Sequence, residues 1–365
     1  MPGSEKNTQK TVNLALQGGG AHGAFTWGVL DKMLEDGRIA PEGICATSAG
    51  SMNACAMAYG LHLGGRDQAR AVLHDFWHRI HRQGFFLNPV RQFPLEKTLG
   101  WNMDHSPAYF LFDTMTRLFS PYQLNPLDIN PLRDVLEDVI DFDALRRCDR
   151  VKLFISATHV RTGKVRVFEN NEITADAVMA SACLPFMFKA VEIDGEHYWD
   201  GGYVGNPALY PLFYKTCCDD IMIVHINPLD RDQLPTTAPD IMNRINEISF
   251  NDSLLKELRA VAFVKKLVEH DMLHDEYKDN FKDILVHSIR DDESMGSLSV
   301  ASKFNSDWDF LTHLRDIGRA AMEKWLARHY DDVGVRGTVD LHHEFLTSVT
   351  DMFAADGRIR KKKES

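Results

Sequence analysis

No stretch of this 365-residue sequence reaches the roughly 18 consecutive apolar residues of a bilayer-crossing helix, so no transmembrane helix is expected. The first ten residues, MPGSEKNTQK, lack the apolar segment of a secretory leader, which points to a cytoplasmic protein. An excess of positive charge is also missing. The 41 Lys and Arg against 52 Asp and Glu leave a formal net charge of -11, which argues against nucleic acid as a partner. The six cysteines, Cys45, Cys55, Cys148, Cys183, Cys217 and Cys218, include no C-x-x-C pair. Most have apolar neighbours, so reduced, buried thiols are expected. No internal repeat is found.

What is present resembles a globular average, with 44% hydrophobic and 25% charged residues. The length allows one large domain or two ordinary ones. Residues 12–17, VNLALQ, read as a short buried strand, followed by the glycine loop GGGAHG at 18–23. AFTWGVLDKMLEDG then carries apolar residues at helical spacing, and Gly37 closes it. Ile44 and Cys45 suggest a very short strand, Ser48 a turn, and SMNACAMAYGLHL a helix of small residues. Strand–loop–helix–strand–turn–helix opens a layered α/β fold.

Residues 62–148 are rich in aromatics and turn residues and read as a helical cap or lid. VKLFISATHV and GKVRVFEN read as a strand hairpin, TADAVMASACL as a helix, and AVEIDGEHYWDGGYV as a hairpin turning at Asp194-Gly195. DIMIVHINP is the last clear strand, and from about residue 238 the pattern is helical. The basic run RIRKKKES is expected to be disordered.

Gly18, Gly20 and Gly23 spell the G-x-G-x-x-G of a dinucleotide site. That site needs an acidic residue at the end of the second strand, but the strand ends in Ala46-Thr47-Ser48 and the nearest acid, Glu42, precedes it. The dinucleotide reading fails there. Ser48 instead has the setting of a nucleophile elbow: a strand-to-helix turn with small neighbours Thr47, Ala49 and Gly50. Taken alone it serves equally well as a helix N-cap. Asp200, before Gly201 and Gly202, reads alone as a turn residue. Its neighbours Trp199 and Tyr203 favour desolvation, which raises a carboxyl pKa and makes a better base.

Together, GGGAHG at 18–23, ATSAG at 46–50 and DGG at 200–202 resemble the patatin-like phospholipase family, as do NPLRDVLE, SATHVRTGKVRVFE and ASACLPFMF. The resemblance covers about residues 12 to 228. It implies a three-layer α/β/α sandwich with a central, mostly parallel sheet. An aromatic helical insert (62–148) would interrupt a catalytic domain (12–228). A helical extension (229–357) and the basic tail (358–365) would follow. It also implies a lipid acyl hydrolase of the phospholipase A or esterase type. Ser48 would be the nucleophile and Asp200 the proton acceptor, with Gly18, Gly19, Gly20 and Ala21 around the oxyanion. His22, Gly23, Ala46, Gly50, Gly201 and Gly202 would support the motifs. A Ser–Asp dyad needs no metal and no organic cofactor, so none is expected. The partner would be a lipid or other acyl ester.

Two residues depart from the family pattern. Ala46 stands for the elbow's first glycine, which one methyl group tolerates if φ stays negative. His22 stands where many members carry Arg or Lys, and would make an anion contact pH-dependent or simply face solvent. They are also the hints for a different class of function, a lipid-binding scaffold without turnover. The rival enzyme reading is a Ser48–Asp200–His225 triad. Against it, Ser48 comes too early for the α/β-hydrolase topology.

His74, His78 and His81 share one helix face and admit a metal, although a polar lid face suits them better. His270 and His274, also i, i+4, suit a solvated face. Phe76, Trp77, Phe85, Phe86, Phe110, Phe112 and Phe119 suit either core packing or an acyl-chain pocket and lipid contact. Arg358, Arg360, Lys361, Lys362 and Lys363 suit either a solvated tail or anionic lipid.

Overall fold

The computed structural model describes residues 9–87, 101–104, 106–231, 234–270, 272, 274 and 281–346, without the side chains of 85–87. The basic tail, with Arg358, Arg360 and Lys361 to Lys363, lies outside the described residues, as do the side chains of Phe85 and Phe86.

Among the described residues, eight strands form one sheet: β1 (Lys10–Leu16), β2 (Ile39–Ala46), β3 (Lys152–His159), β4 (Val165–Glu169), β5 (Val191–Ile193), β6 (Glu196–Asp200), β7 (Asp220–Val224) and β8 (Leu285–Ile289). The helices that bear on the argument are α1 (Gly23–Asp36), α2 (Ala49–Gly64), α3 (Arg66–Leu87), α4 (Pro107–Leu118), α5 (Tyr210–Lys215), α6 (Ala238–Glu269) and α7 (Trp308–His329).

Side-chain alternation along the strands builds three layers. Leu14, Leu16, Ile44, Leu153, Ile155, Met222 and Val224 face one core, which holds Phe25 and Trp27 of α1, Phe76 of α3 and Phe310 of α7. Their neighbours Ala15, Cys45, Phe154, Ile221 and Ile223 face the other, which holds Leu212 of α5 and Leu254 and Leu258 of α6. Helices thus cover both faces, as the family resemblance implies. β3, β2, β1, β7 and β8 run parallel, and β4, β5 and β6 add antiparallel pairs at one side.

The register around β3 places the site. β2 pairs with β3 up to Ala46↔Ile155, while β4 already occupies the opposite edge of β3. β6 begins pairing at Ala157↔Asp200, where β4 is still present, so it takes the edge that β2 leaves. The end of β2 and the end of β6 therefore point at each other along one edge of β3.

Several elements differ from the sequence reading. β2 spans eight residues rather than a very short strand. Pro41 sits where the pairing of β1 with β2 shifts register, between Val12 and Leu14, which lets proline enter an inner strand. β8 was not anticipated, and it extends the sheet beside β7. The Asp194-Gly195 turn has positive φ at both residues, 54° and 78°, as a tight hairpin requires. Cys45, Cys55, Cys148 and Cys183 are buried free thiols, whereas Cys217 is exposed and Cys218 half-buried, so the expected burial does not extend to these two.

Candidate functional site

Ser48 follows β2 and precedes α2 at φ 55° and ψ −124°. Such a conformation costs a non-glycine residue about 1–3 kcal/mol and persists only where surroundings impose it. Here Thr47 N–H donates to Leu16 O (3.2 Å), Thr47 Oγ1 to Gly205 O (2.7 Å), and Ser48 N–H to Ser181 Oγ (2.9 Å). Gly50, in the first turn of α2, donates its N–H to Thr47 O (2.8 Å). The Ser48 side chain makes no capping bond to α2, so its hydroxyl is not spent as an N-cap. Ala46 is buried and is not among the positive-φ residues, so its methyl group is accommodated.

Asp200 ends β6 and is 1% exposed. Its N–H donates to Cys183 O (2.8 Å) and its carbonyl accepts from Thr158 Oγ1 (2.7 Å). Carboxylate Oδ1 accepts the Gly202 N–H at 2.7 Å, while Gly201 and Gly202 form the 3-10 turn beyond. Oδ2 has no ordinary hydrogen-bond partner, and the Ser48 hydroxyl is the side chain that interacts with the carboxylate. Burial pushes the Asp200 pKa up to about 6, against the opposing pull of the Gly202 N–H, the Ser48 hydroxyl and Lys303.

The glycine loop lies against this pair. A Cβ on Gly18 would stand 2.7 Å from Ser48 Cβ, so only glycine permits the approach. Gly20, at φ 58°, packs with no room for a side chain against the backbone oxygen of Lys303. Gly18 N–H donates to Asn206 Oδ1 (2.7 Å), and Gly18 O accepts from Asn227 Nδ2 (3.2 Å). Gly19, Gly20 and Ala21 line the cavity in front of Ser48; Gly18 does not. Gly23 opens α1 against Ala49. His22 neither faces solvent nor offers a titrating contact. It is buried, its Nε2 lies 2.7 Å from Ser302 Oγ, and burial, reinforced by Lys303, holds its pKa well below the usual value.

The cavity holds about 270 Å³ and is lined by Ser48 and Asp200 together with Met52, Phe76, Trp77, Met187, Phe188 and Phe250, among others. A second, largely apolar groove of about 290 Å³ adjoins it, sharing Ile80, Leu132, Met187, Phe188, Phe304 and Ser306. Phe112 and Ile129 line the groove, while Phe110, Leu111 and Leu118 of α4 stand exposed. Of the expected aromatic set, Phe76 and Trp77 therefore serve both core and cavity, Phe112 lines the groove, and Phe110 and Phe119 are exposed.

Sequence reasoning missed Lys303, Asn206 and Asn227. Lys303 lies in the 3-10 turn Val300–Phe304 and lines the cavity. Burial lowers its pKa to about 8, against the attraction of Glu247 and Asp200. No local motif marks it, because Gly20, Ser48 and Asp200, with which it lines the cavity, come from far away in the sequence.

His225 does not line the cavity. Its N–H donates to Ile289 O (3.0 Å), and burial, with Arg290, pushes its ring pKa down to about 3. His74 and His78 pack edge-on against Trp308, and His81 Nδ1 bonds Ser306 O (2.9 Å). Among the described residues no cluster of His, Cys, Asp and Glu is placed to hold a metal, and no helix is long and apolar enough to cross a membrane.

The patatin-like phospholipase family model matches residues 14–213. Among solved structures the chain is similar to VipD from Legionella pneumophila, with 14% identity, 88% of this chain and 67% of that chain covered, and a TM-score of 0.42. It is also similar to the complex of ExoU with SpcU from Pseudomonas aeruginosa, with 13% identity, 87% of this chain and 53% of that chain covered, and a TM-score of 0.32. No curated protein matches.

Proposed function

Because the chain belongs to the patatin-like phospholipase family, we propose that it is a lipid acyl hydrolase working through a Ser48–Asp200 dyad. One observation carries the assignment of the residues. A serine held in a strained turn, its hydroxyl free of the helix cap, interacts with a buried carboxylate that has an unpartnered oxygen, and both line one apolar cavity.

The chemistry follows from that arrangement. Asp200 Oδ2 takes the Ser48 proton as Oγ forms a bond to the ester carbonyl carbon. The carbonyl oxygen becomes an oxyanion. Gly18 N–H is already held by Asn206, so the N–H groups of Gly19, Gly20 and Ala21 are the loop donors that receive it. One such donor is worth about 2.7–4 kcal/mol of barrier. The bond to the leaving alcohol breaks, and Asp200 returns its proton to the departing oxygen. Water then attacks the acyl-serine, giving one proton to Asp200. As the tetrahedral intermediate collapses, that proton returns to Ser48 Oγ and the carboxylic acid is freed.

The apolar cavity and its adjoining groove suit acyl chains. Each buried methylene contributes about 0.8 kcal/mol, so substrate binding is driven by chain length. The exposed Phe110, Leu111 and Leu118 of α4, beside the groove, suit contact with a lipid surface.

The test is hydrolysis of a p-nitrophenyl acyl ester together with fluorophosphonate labelling. Ser48→Ala is expected to lose both labelling and at least a thousand-fold in kcat, and Asp200→Ala a comparable factor in kcat. Wild-type protein that neither turns over the ester nor labels at Ser48 overturns the assignment.

A further inference from the structure

Among the described residues that line the cavity, two are charged, Asp200 and Lys303. The proposed chemistry uses the first and leaves the second without a task. Lys303 lies beyond the stretch matched by the family model and is brought to the cavity by its own surroundings. Its backbone oxygen abuts Gly20, and the preceding Ser302 bonds His22 in the glycine loop.

The lysine ammonium has three N–H groups. It donates to Asn227 Oδ1 and Asn246 Oδ1, both at 2.9 Å, and lies 5.2 Å from the centre of the Phe250 ring. Both acceptors are neutral amides. Among the described residues no carboxylate forms an ion pair with Lys303. Glu247, the acid close enough to act on it along with Asp200, is already held by Arg231 and Arg244. A positive charge with a donor to spare therefore stands over an apolar cavity, two amides fixing its direction. Enclosing a charge in apolar surroundings is costly unless a counter-charge meets it. A neutral ester supplies none.

We propose that Lys303 binds an anionic oxygen group of the substrate, a phosphate ester on the alcohol side of the scissile bond. The proposal rests on reading Ser48 and Asp200 as the hydrolytic pair. With the acyl chain in the apolar groove, the alcohol side is the part of the substrate left to face the ammonium. The carboxylate of a released fatty acid presents similar oxygens, and the test separates the two sources.

The experiment measures binding by titration calorimetry with the full chain and three probes: 1-O-octyl-glycerol 3-phosphate, an ether that cannot be cleaved; its neutral counterpart 1-O-octyl-glycerol; and octanoate. Wild type is expected to bind the ether phosphate at least ten-fold more tightly than the neutral ether. Lys303→Met is expected to erase at least ten-fold of that ratio, and Lys303→Arg to restore most of it. A parallel loss for both ethers would mean that Lys303 only braces the glycine loop, and overturns the proposal. So would an unchanged ratio, or a loss confined to octanoate. Turnover by Ser48→Ala is read separately. Retained turnover there defeats the hydrolase reading, whereas loss of turnover with an unchanged binding ratio defeats the Lys303 proposal alone.

Discussion

Asn206 Oδ1 accepts the Gly18 backbone N–H at 2.7 Å, joining residues 188 positions apart in the sequence. The same side chain donates through Nδ2 to Phe250 O. One amide thus ties the glycine loop to both the turn after Asp200 and the long helix α6. Asn206→Ala leaves the buried Gly18 N–H without its partner and takes from Phe250 O its donor outside the helix, which costs about 1–3 kcal/mol of stability. The loop would lose its register against Ser48, so kcat is expected to fall about a hundred-fold with little change in KM. Urea unfolding and steady-state kinetics check the two effects independently.

On a neutral ester such as the p-nitrophenyl substrate, activity should rise with pH through a single ionisation. The base must be ionised, and burial places the Asp200 pKa at about 6. A plot of log kcat/KM is expected to climb with unit slope below that value and flatten above it. Lys303 helps to hold this pKa down, so Lys303→Met should move the limb to higher pH. His22, held neutral, should leave no limb of its own. A limb that disappears in Asp200→Asn but not in a His22 variant is the expected result.

The buried carboxylate should also cost stability. In the unfolded chain Asp200 ionises near 3.8, and in the folded chain near 6. The folded state therefore binds this proton more tightly. Its relative advantage is complete below pH 3.8 and lost as pH rises through about 6. Asp200→Asn removes the charge and is expected to stabilise the fold at pH 7.5 by something on the order of 1–3 kcal/mol. The gain should shrink toward zero as pH approaches 4. Thermal unfolding across that range measures it, and a variant less stable than wild type at pH 7.5 contradicts the account.

The exposed apolar side chains of α4 give a further contrast. Phe110→Ser with Leu118→Ser is expected to lower hydrolysis of lipid in vesicles several-fold more than hydrolysis of a monomeric soluble ester. Co-sedimentation with vesicles should fall in parallel. Equal losses on both substrates would place these residues in the fold rather than at a lipid surface.

What the sequence reveals here is local. The strand before GGGAHG, the helix after it and the turn at Ser48 all announce themselves within a few residues, through apolar spacing, glycines and small side chains. The Asp194-Gly195 hairpin does the same. β2 was underestimated because IAPEG contains a proline and a glutamate, which read as loop, and only the register shift against β1 makes room for them. β8, LVHSI, is five residues long and sits within helical pattern, so its pairing partner β7 is what defines it. Asn206, Asn227 and Lys303 carry no signal at all. Each acts on residues more than a hundred positions away, and an asparagine or lysine in a loop is ordinarily solvated.

The shared edge of β3 sets the distance between Ser48 and Asp200 like a gauge block. Two rungs separate Ile155, which pairs with the end of β2, from Ala157, which pairs with Asp200. Removing one residue from β3 between those rungs would close the gap by about 3.3 Å and turn the following side chains to the opposite face. The spacing of the pair is thus written in a strand that contains neither of them.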